Sequence, residues 1–404
     1  MDDADLRVTY AMAVHGKEEE EAVLSLLRDH KTILGSHTKE FESKIAFLFG
    51  KKYGIMVNSG SSANLLATEL MNLQPGAEVI TPSLTFATTV GPLLQKGLRP
   101  VFIDVEPGTY LINVNGIEEK IGKGTKALFI PNLLGNIPEL EELRKLADEH
   151  SLLFVEDSCD TLGATFKGKP TGTYSDMSTT SFYGSHIITA LGGGGMLCVN
   201  DKKTADRARV LRGWGRSSAI DESETPGLRF GVDVEGIQYD SKFIFSEIGY
   251  NMLPIEASSA FGLEQLKKLD MFAKIRKRNF ALLYDFFDKY KDYFVLPVQS
   301  SAVTTSWLAF PLTIKEGAPF TRHELVTYLE KNNIQTRPVF TGNILRQPAF
   351  RHIDSSKDFP VSDNIMKNGL LIGCHHGLEE RHILKLRKVF ESFLDPKIGN
   401  KSAV

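Results

Sequence analysis

Two serines directly follow an apolar run and are placed to bind an anion. Ser61 and Ser62 come after the run that ends at Val57, where a helical pattern begins. The first amides of a helix have no acceptor within the helix and bind anions such as phosphate. The segment therefore predicts a phosphate site, and a serine-capped helix without a ligand is the alternative.

An acid and an aromatic residue follow two further apolar runs. Asp157 ends the run LLFVED, where a carboxylate can reach a ligand crevice and pair with a protonated ring nitrogen. Phe86, in SLTF, has the flat surface that could stack on such a ring. Taken separately, a strand-end acid is commonly a cap or surface charge, and a lone aromatic residue is commonly core. Only their combination indicates a cofactor site.

A histidine stands in a stretch that combines a serine with consecutive glycines. His186 follows Ser181 by five residues, and the four glycines at 192–195 separate two strand-like runs. Glycine permits close backbone approach and positive φ, so the stretch indicates a turn that contacts a ligand, and a flexible hairpin is the alternative. No nucleotide P-loop motif occurs in the chain.

Alternating strands and helices are expected to bring these residues together. From about residue 50 to 200 the apolar runs YGIMVN, AEVITP, RPVFIDV, KALFIPN and LLFVED alternate with segments of helical period. This alternation predicts an α/β fold with a mostly parallel sheet sandwiched by helices. Ligands of such sheets bind beyond the carboxyl ends of the strands, which is where the candidate residues stand.

The remainder of the chain predicts a smaller α+β domain. Residues 264–290 have the period of one long connecting helix, and VLPV, WLAFPLTI and IQTRPVF flank a helix near His323 to Lys331. The predicted domains are residues 1–265, with an N-terminal arm, and 266–404. Segment 217–239, rich in acidic residues and glycine, is long enough to suggest function or mobility.

Composition excludes several classes of protein. The formal net charge of -3 leaves no basic surplus for nucleic acid, and no stretch reaches the roughly 18 apolar residues of a membrane span. The first residues lack a signal-peptide pattern, so we expect a cytoplasmic protein without membrane or nucleic-acid partners.

The cysteines and paired histidines do not form a metal-binding pattern. Cys159, Cys198 and Cys374 are widely separated and have no CxxC spacing, which argues against disulfides, zinc and iron-sulfur clusters. His375 and His376 are adjacent, and adjacent side chains point to different sides of most backbones. We therefore expect no metal site.

Six segments of the sequence resemble, in order, the landmarks of the DegT/DnrJ/EryC1/StrS sugar aminotransferase family. They are NSGSSAN, EVITPSLTF, VEDSCD, TSF, the glycine run and GYNMLPIEASSA. The resemblance implies a fold-type I aminotransferase-like architecture with pyridoxal or pyridoxamine 5′-phosphate (PLP or PMP) in the domain at residues 1–265. In that pattern the residue five after the TSF serine is the lysine that holds the cofactor, and here it is His186.

The family pattern also implies roles for the other candidates. Asp157 would pair with the pyridine nitrogen, Phe86 would stack on the ring, and Asp160 would lie near the cofactor hydroxyl. Ser61, Ser62 and Ser181 would hold the phosphate. Asn251 of GYN would reach the phosphate of a neighbouring subunit, which implies a homodimer with shared active sites.

Four stretches resemble the histidine-bearing subgroup of the family, the 4-keto-6-deoxyhexose 3-dehydratases. They are SFYGSH, RGWGRS, YDSKFIFSEIGYN and TGNILRQPAF. Segment 217–239 contains no cysteine, which favours the type without an iron-sulfur cluster that acts on GDP-4-keto-6-deoxymannose. The motif match makes Arg216, Arg337, Asn343 and Arg346 candidate contacts of the sugar or diphosphate, with surface ion pairing as the alternative.

Histidine in place of lysine changes the expected reaction. Imidazole forms no lasting covalent link with the cofactor, but it moves protons near neutral pH. We therefore expect His186 to act as acid and base in the loss of the C3 hydroxyl from a nucleotide-linked sugar, with glutamate as the amino donor that restores PMP. The alternatives are a sugar aminotransferase that tolerates histidine, an engineered lysine site, and a catalytically silent regulatory protein that binds the cofactor.

Overall fold

Short apolar segments between residues 53 and 199 form a seven-stranded sheet in the computed structural model, which describes residues 6–220, 229–353 and 358–399. Five of its strands correspond to the five apolar runs of the sequence. In spatial order the strands are β1 (Tyr53–Val57), β9 (Gly195–Val199), β8 (Met177–Ser181), β5 (Leu153–Asp157), β4 (Thr125–Pro131), β2 (Glu78–Pro82) and β3 (Arg99–Ile103). Strand β9 is antiparallel to both of its neighbours, and the other pairings are parallel.

Helices lie along both faces of this sheet, because successive side chains of its strands point to opposite sides. Phe129 of β4 packs in one cluster with Leu66, whereas Leu128 packs in another with Leu143. Strands that are apolar on both faces are typical of parallel sheets covered by helices. The predicted fold class, α/β with a mostly parallel sheet sandwiched by helices, is confirmed.

The described helices are spread along the whole chain. They are α1 (Lys17–Arg28), α2 (Ser36–Leu48), α3 (Gly60–Leu70), α4 (Ala87–Gln95), α5 (Leu140–Glu149), α6 (Lys202–Arg212), α7 (Glu256–Lys267), α8 (Leu269–Phe287), α9 (Arg322–Lys331), α10 (Pro360–Asn368) and α11 (Glu380–Gly399). The sequence predicted one long helix over 264–290. The structure instead has α7 and α8 with a break at Lys268, so the prediction of a single helix is wrong.

Smaller sheets complete the fold. A four-stranded sheet has the order β12 (Phe294–Val295), β14 (Phe310–Ile314), β16 (Gly369–Ile372) and β15 (Thr336–Arg337). A three-stranded sheet contains β13 (Val303–Thr304), β6 (Thr165–Phe166) and β7 (Lys169–Pro170), and a hairpin contains β10 (Val232–Val234) and β11 (Ile237–Tyr239).

The N-terminal segment joins the four-stranded sheet region, not the large sheet. Val8 forms a parallel bridge with Ile334, and both belong to the apolar cluster around β14 and β16. The domain division after residue 265 stays a prediction. Residues 221–228, in the middle of the segment suspected of function or mobility, lie outside the described residues.

The described helices also bear on membrane association. None of them combines the length and the apolar character that a bilayer crossing requires.

Candidate active site

A cavity of about 630 Å³ opens at the carboxyl edge of the large sheet. The ends of β5 and β8, the start of α3 and the end of β15 all border it. Seven of the residues predicted from the sequence line this cavity: Ser61, Phe86, Asp157, Asp160, Ser181, His186 and Arg337. These seven residues, of which the first and last are 276 positions apart in the chain, therefore meet at one edge of the sheet.

Asp157 is held by donors on two different helices. Asn64 Nδ2 and Thr89 Oγ1 each donate to Asp157 Oδ2 at 2.8 Å, and Cys159 N donates to Oδ1 at 3.2 Å. Thr179 Oγ1 donates to Asn64 Oδ1 at 2.6 Å, which fixes the orientation of the amide. Donors to both of its oxygens therefore fix the orientation of the Asp157 carboxyl group at the cavity.

Asn64 and Thr89 were not among the site residues predicted from the sequence. The available signal was their position: Asn64 is the last residue of the landmark NSGSSAN, and Thr89 lies three residues beyond the landmark that ends at Phe86, in the first turn of α4. Their common partner, Asp157, is 93 and 68 residues away, respectively.

The start of α3 lies at the cavity. Ser59 caps the helix by accepting a hydrogen bond from Ser62 N at 3.1 Å. A Cβ at Gly60 would lie 2.6 Å from Ser181 Cβ, so the backbone of α3 and the end of β8 approach as closely as glycine allows. The Ser61 hydroxyl lies at the cavity, whereas the Ser62 hydroxyl donates to Asn58 Oδ1 at 2.6 Å and lies outside its lining.

His186 reaches the cavity with one ring nitrogen already occupied. His186 Nδ1 lies 2.5 Å from the Cys159 carbonyl oxygen. Because a carbonyl oxygen only accepts, Nδ1 carries the proton in the neutral ring and Nε2 is left with a lone pair. Burial, together with the charge of Arg276, lowers the pKa of His186 to about 4. At neutral pH the imidazole is therefore a neutral base.

Asp160 is a second carboxyl group of the cavity, and its surroundings differ from those of Asp157. It is 8% exposed, and Oδ2 accepts one hydrogen bond, from Leu134 N at 2.9 Å. Burial raises its pKa to about 7, with a smaller contribution from the charge of Asp157. Asp160 is thus divided between its neutral and charged forms at physiological pH.

Aromatic residues form the outer wall of the cavity. Phe86 is 50% exposed, and its ring meets that of Phe340 edge to face with 6.0 Å between centroids. Tyr10, from the N-terminal segment, lies against Arg337, whose guanidinium is 5.6 Å from the ring centroid. The sequence offered no signal for Tyr10 or Phe340, because their contacts to the site span most of the chain.

Several predicted residues do not line the cavity. Arg346 pairs with Asp363 through two hydrogen bonds of 2.5 and 2.9 Å, and Asn343 donates to the same carboxylate. Arg216 stacks on Trp214 at 4.3 Å, outside the cavity. Their roles in substrate binding, like the role of Ser62, stay predictions.

Asn251 is exposed and pairs with Gly213 through an isolated bridge, also outside the cavity. Its predicted contact lies in a second subunit, so its position in a single chain leaves that role a prediction.

The cysteines and paired histidines are distributed through the interior. Cys198 and Cys374 are fully buried, and Cys159 borders the cavity. Within the three described ranges, no three side chains of histidine, cysteine, aspartate or glutamate are grouped so as to hold a metal ion.

Comparison with known proteins identifies the family. The model of the DegT/DnrJ/EryC1/StrS aminotransferase family matches residues 14–391. The chain belongs to this family. One relative, the GDP-4-keto-6-deoxy-D-mannose 3-dehydratase of Escherichia coli O55:H7, is 36% identical over 374 residues, which cover 88% of this chain and 92% of the relative.

Solved structures of this type of enzyme are closely similar. The E. coli GDP-4-keto-6-deoxy-D-mannose 3-dehydratase with bound hydrated PLP has a TM-score of 0.84 and 32% identity, covering 95% of this chain and 100% of the other. A GDP-4-keto-6-deoxymannose 3-dehydratase with a trapped PLP-glutamate geminal diamine has a TM-score of 0.84 and 30% identity, with 95% and 99% coverage. These similarities confirm the predicted fold-type I aminotransferase-like architecture. They indicate a PLP-dependent 3-dehydratase or a related sugar aminotransferase.

The residues of this cavity fit PLP. A carboxylate fixed by three donors suits a protonated pyridine nitrogen, and a glycine- and serine-rich helix start suits a phosphate. An exposed phenylalanine at the cavity wall suits an aromatic ring. The cofactor chemistry named by the relatives is therefore compatible with the side chains of this chain.

Proposed function

We propose that the protein removes the C3 hydroxyl of a nucleotide-linked 4-keto-6-deoxyhexose, using PMP and PLP, with His186 as the acid and base. The orientation of His186 is the observation that carries this proposal. Its Nδ1 donates to Cys159, so Nε2 is the only ring nitrogen able to accept a proton, and the ring lines the same cavity as Asp157. An imidazole so held can move protons but cannot tether a cofactor.

Other residues of the cavity would hold the cofactor without a covalent link. Asp157 would pair with the ring nitrogen, Phe86 would cover the ring, and Asp160 would lie near the ring hydroxyl. Ser61, Ser62 and Ser181 would bind the phosphate. When bound, the pyridoxamine form supplies an amine that condenses with the C4 ketone and an electron-poor ring that draws electrons from the sugar.

His186 would then carry out the proton transfers of the reaction. Its Nε2 would accept the proton that the cofactor acidifies and return it to the C3 hydroxyl as that group leaves as water. A lone pair at Nε2 is available because the pKa of His186 is about 4, well below neutral pH. Arg337, at the mouth of the cavity, would bind an anionic part of the nucleotide sugar.

Glutamate is the proposed amino donor that restores the amine form of the cofactor. One support is the PLP-glutamate adduct named for a similar 3-dehydratase structure. Another is that segment 217–239 contains no cysteine, so it could not supply cysteine ligands to a cluster. We therefore propose a cluster-free enzyme that draws on glutamate, not on a cluster-borne electron supply.

Mass spectrometry distinguishes this function from its rivals. The protein is incubated with PLP, glutamate and GDP-4-keto-6-deoxymannose, and the product is expected to lack the C3 oxygen. A product with a new amine and an intact C3 hydroxyl would support the sugar aminotransferase. If no product forms and glutamate leaves the aldehyde absorbance band of PLP unchanged, a silent cofactor-binding protein is the better description.

Variants of His186 test its role directly. His186→Asn is expected to bind PLP and to lose dehydration, and undiminished turnover would contradict the assignment. His186→Lys is expected to shift the reaction towards amine transfer. His150→Asn, at an exposed histidine outside the cavity, is the matched control and should retain native turnover.

A homodimer with shared sites is also proposed. Apolar side chains are exposed between residues 230 and 255, where Phe245 is 58% exposed and Ile248 is 98% exposed, and Asn251 lies among them. If Asn251 completes the site of the other subunit, two inactive variants should complement each other. A mixture of His186→Asn and Asn251→Ala chains should recover roughly a quarter of native activity after subunit exchange, and no recovery would contradict shared sites.

A further inference from the structure

A fully buried arginine connects His186 to the four-stranded sheet region. Arg276, in α8, is 1% exposed. Its NH2 group donates to the His186 carbonyl at 3.2 Å, and NH1 donates to the carbonyls of Trp307 and Leu308 at 3.3 and 3.1 Å. Nε donates to His376 Nδ1 at 3.2 Å. One guanidinium therefore links three separate segments of the chain.

The guanidinium carries an uncompensated charge. Among the described residues its hydrogen-bond partners are three carbonyl oxygens and one imidazole nitrogen, and no carboxylate is included. Burial lowers the pKa of Arg276 to about 10, so the group remains charged at neutral pH. A buried cation without an anionic partner is costly, and a costly charge that persists beside a cavity calls for a role beyond packing.

The position of the charge matters to the imidazole of His186. The ring is fixed at its Nδ1 side by Cys159, and the backbone carbonyl of the same residue is fixed by Arg276. We propose that Arg276 is a positioning residue for His186, because its hydrogen bond holds the main chain of the histidine in place. The charge of the same guanidinium also disfavours a second proton on the ring. This inference rests on the proposed base role of His186 and adds a residue that fixes the main chain of the base and further opposes its protonation.

Other titratable groups line the same cavity as the imidazole. They are Tyr10, Asp157, Cys159, Asp160, Tyr183 and Arg337, and the Tyr183 ring lies 6.1 Å from that of His186 between centroids. The charge of Asp157 favours a protonated imidazole, whereas burial and Arg276 oppose it. Burial is the largest of these effects, and the charge of Arg276 adds to it against the nearby carboxylate.

The test measures the protonation of His186 directly in the full-length protein. Histidine is labelled with ¹³C, the His186 resonance is assigned by its loss in His186→Asn, and its pKa is obtained by titration. Arg276→Gln should raise this pKa by about 1 unit, because a nearby cation is removed. Arg276→Lys keeps the positive charge, so the pKa of His186 should stay close to its native value in this variant. The kcat of Arg276→Lys should fall roughly 10-fold, with little change in KM. Lysine lacks the forked guanidinium that holds the His186 carbonyl together with the other two segments.

Arg278→Gln is the matched control. Arg278 lies on the same helix, is exposed, and contacts Asn279 and the Leu378 carbonyl instead of His186. Native His186 titration is expected in this variant.

A purely structural role for Arg276 would lower the melting temperature of Arg276→Gln and leave the His186 pKa unchanged, which would overturn the proposal. Failure of Arg276→Gln to fold would overturn it as well, because the guanidinium would then serve the fold. The titration is read without substrate, so its result is independent of whether the dehydratase proposal holds.

Discussion

Mild acid should destabilise the protein through two buried histidines, His375 and His376. His375 Nε2 lies 3.1 Å from the Thr9 carbonyl oxygen, and its Nδ1 accepts a hydrogen bond from Gly377 N at 3.2 Å. His376 Nδ1 accepts from the Arg276 guanidinium. In both rings the nitrogen that would take a second proton already faces a donor, so protonation would break a hydrogen bond and bury a charge.

The magnitude follows from the two pKa values. Burial and the charge of Arg276 lower the pKa of His375 to about 4 and that of His376 to about 2, from 6.5 in the unfolded chain. Above pH 6.5 both histidines are neutral in the folded and in the unfolded chain, so the free energy of unfolding is not reduced by their protonation. As the pH falls below 6.5, only the unfolded chain gains protons. At pH 5.5 each histidine should lower the free energy of unfolding by about 1.4 kcal/mol, or about 2.8 kcal/mol together.

Urea unfolding at pH 8 and pH 5.5 measures this loss. His375→Asn and His376→Asn should each reduce the difference between the two pH values by about 1.4 kcal/mol, because the titrating group is gone. His150→Asn, at an exposed site, should leave the difference unchanged. If the histidine variants keep the full native pH dependence, the assignment of buried neutral rings is incorrect.

Three further outcomes concern the cofactor site. Gly60→Ala should weaken PLP binding roughly 10-fold, since its Cβ would lie 2.6 Å from Ser181 Cβ, and native affinity in an absorbance titration would contradict the close approach. Asn64→Leu removes a 2.8 Å donor from Asp157 and should cost about 1.4 kcal/mol of PLP binding, measured in the same way. Asp160→Asn should abolish any change of PLP affinity with pH near 7, because burial raises the pKa of Asp160 to about 7. If the variant keeps that pH dependence, a different group is responsible for it.

The sequence contained most of the information for the large sheet and part of the information for the site. Its strands are apolar on both faces and end at polar residues, so Asp157, Ser181 and His186 could be placed at one edge before any contact was known. The prediction of a single helix over 264–290 was wrong at Lys268, where the structure has a one-residue break. The sequence contains no sign of this break, because the apolar period and the helix-forming composition continue across it.

The supporting residues could not be predicted, because their partners are remote in sequence. Arg276 lies 90 residues from His186, and a buried arginine has no local signature that separates it from the exposed basic residues beside it. Arg346 shows the reverse case: its motif indicated a substrate contact, but in the folded chain a bidentate pair with Asp363 engages its guanidinium. Whether it also contacts substrate stays a prediction.

The contribution of Tyr10 to the cavity wall has a consequence for synthesis. Val8 and Tyr10 are anchored by Ile334 and Gln335, and the lining of the cavity continues to Leu371. During synthesis, the part of the chain that forms the large sheet, which ends at Val199, therefore cannot complete this cavity alone. A complete cavity requires every segment from Tyr10 to Leu371 to be synthesised and folded, so the large sheet alone cannot bind the cofactor at full strength.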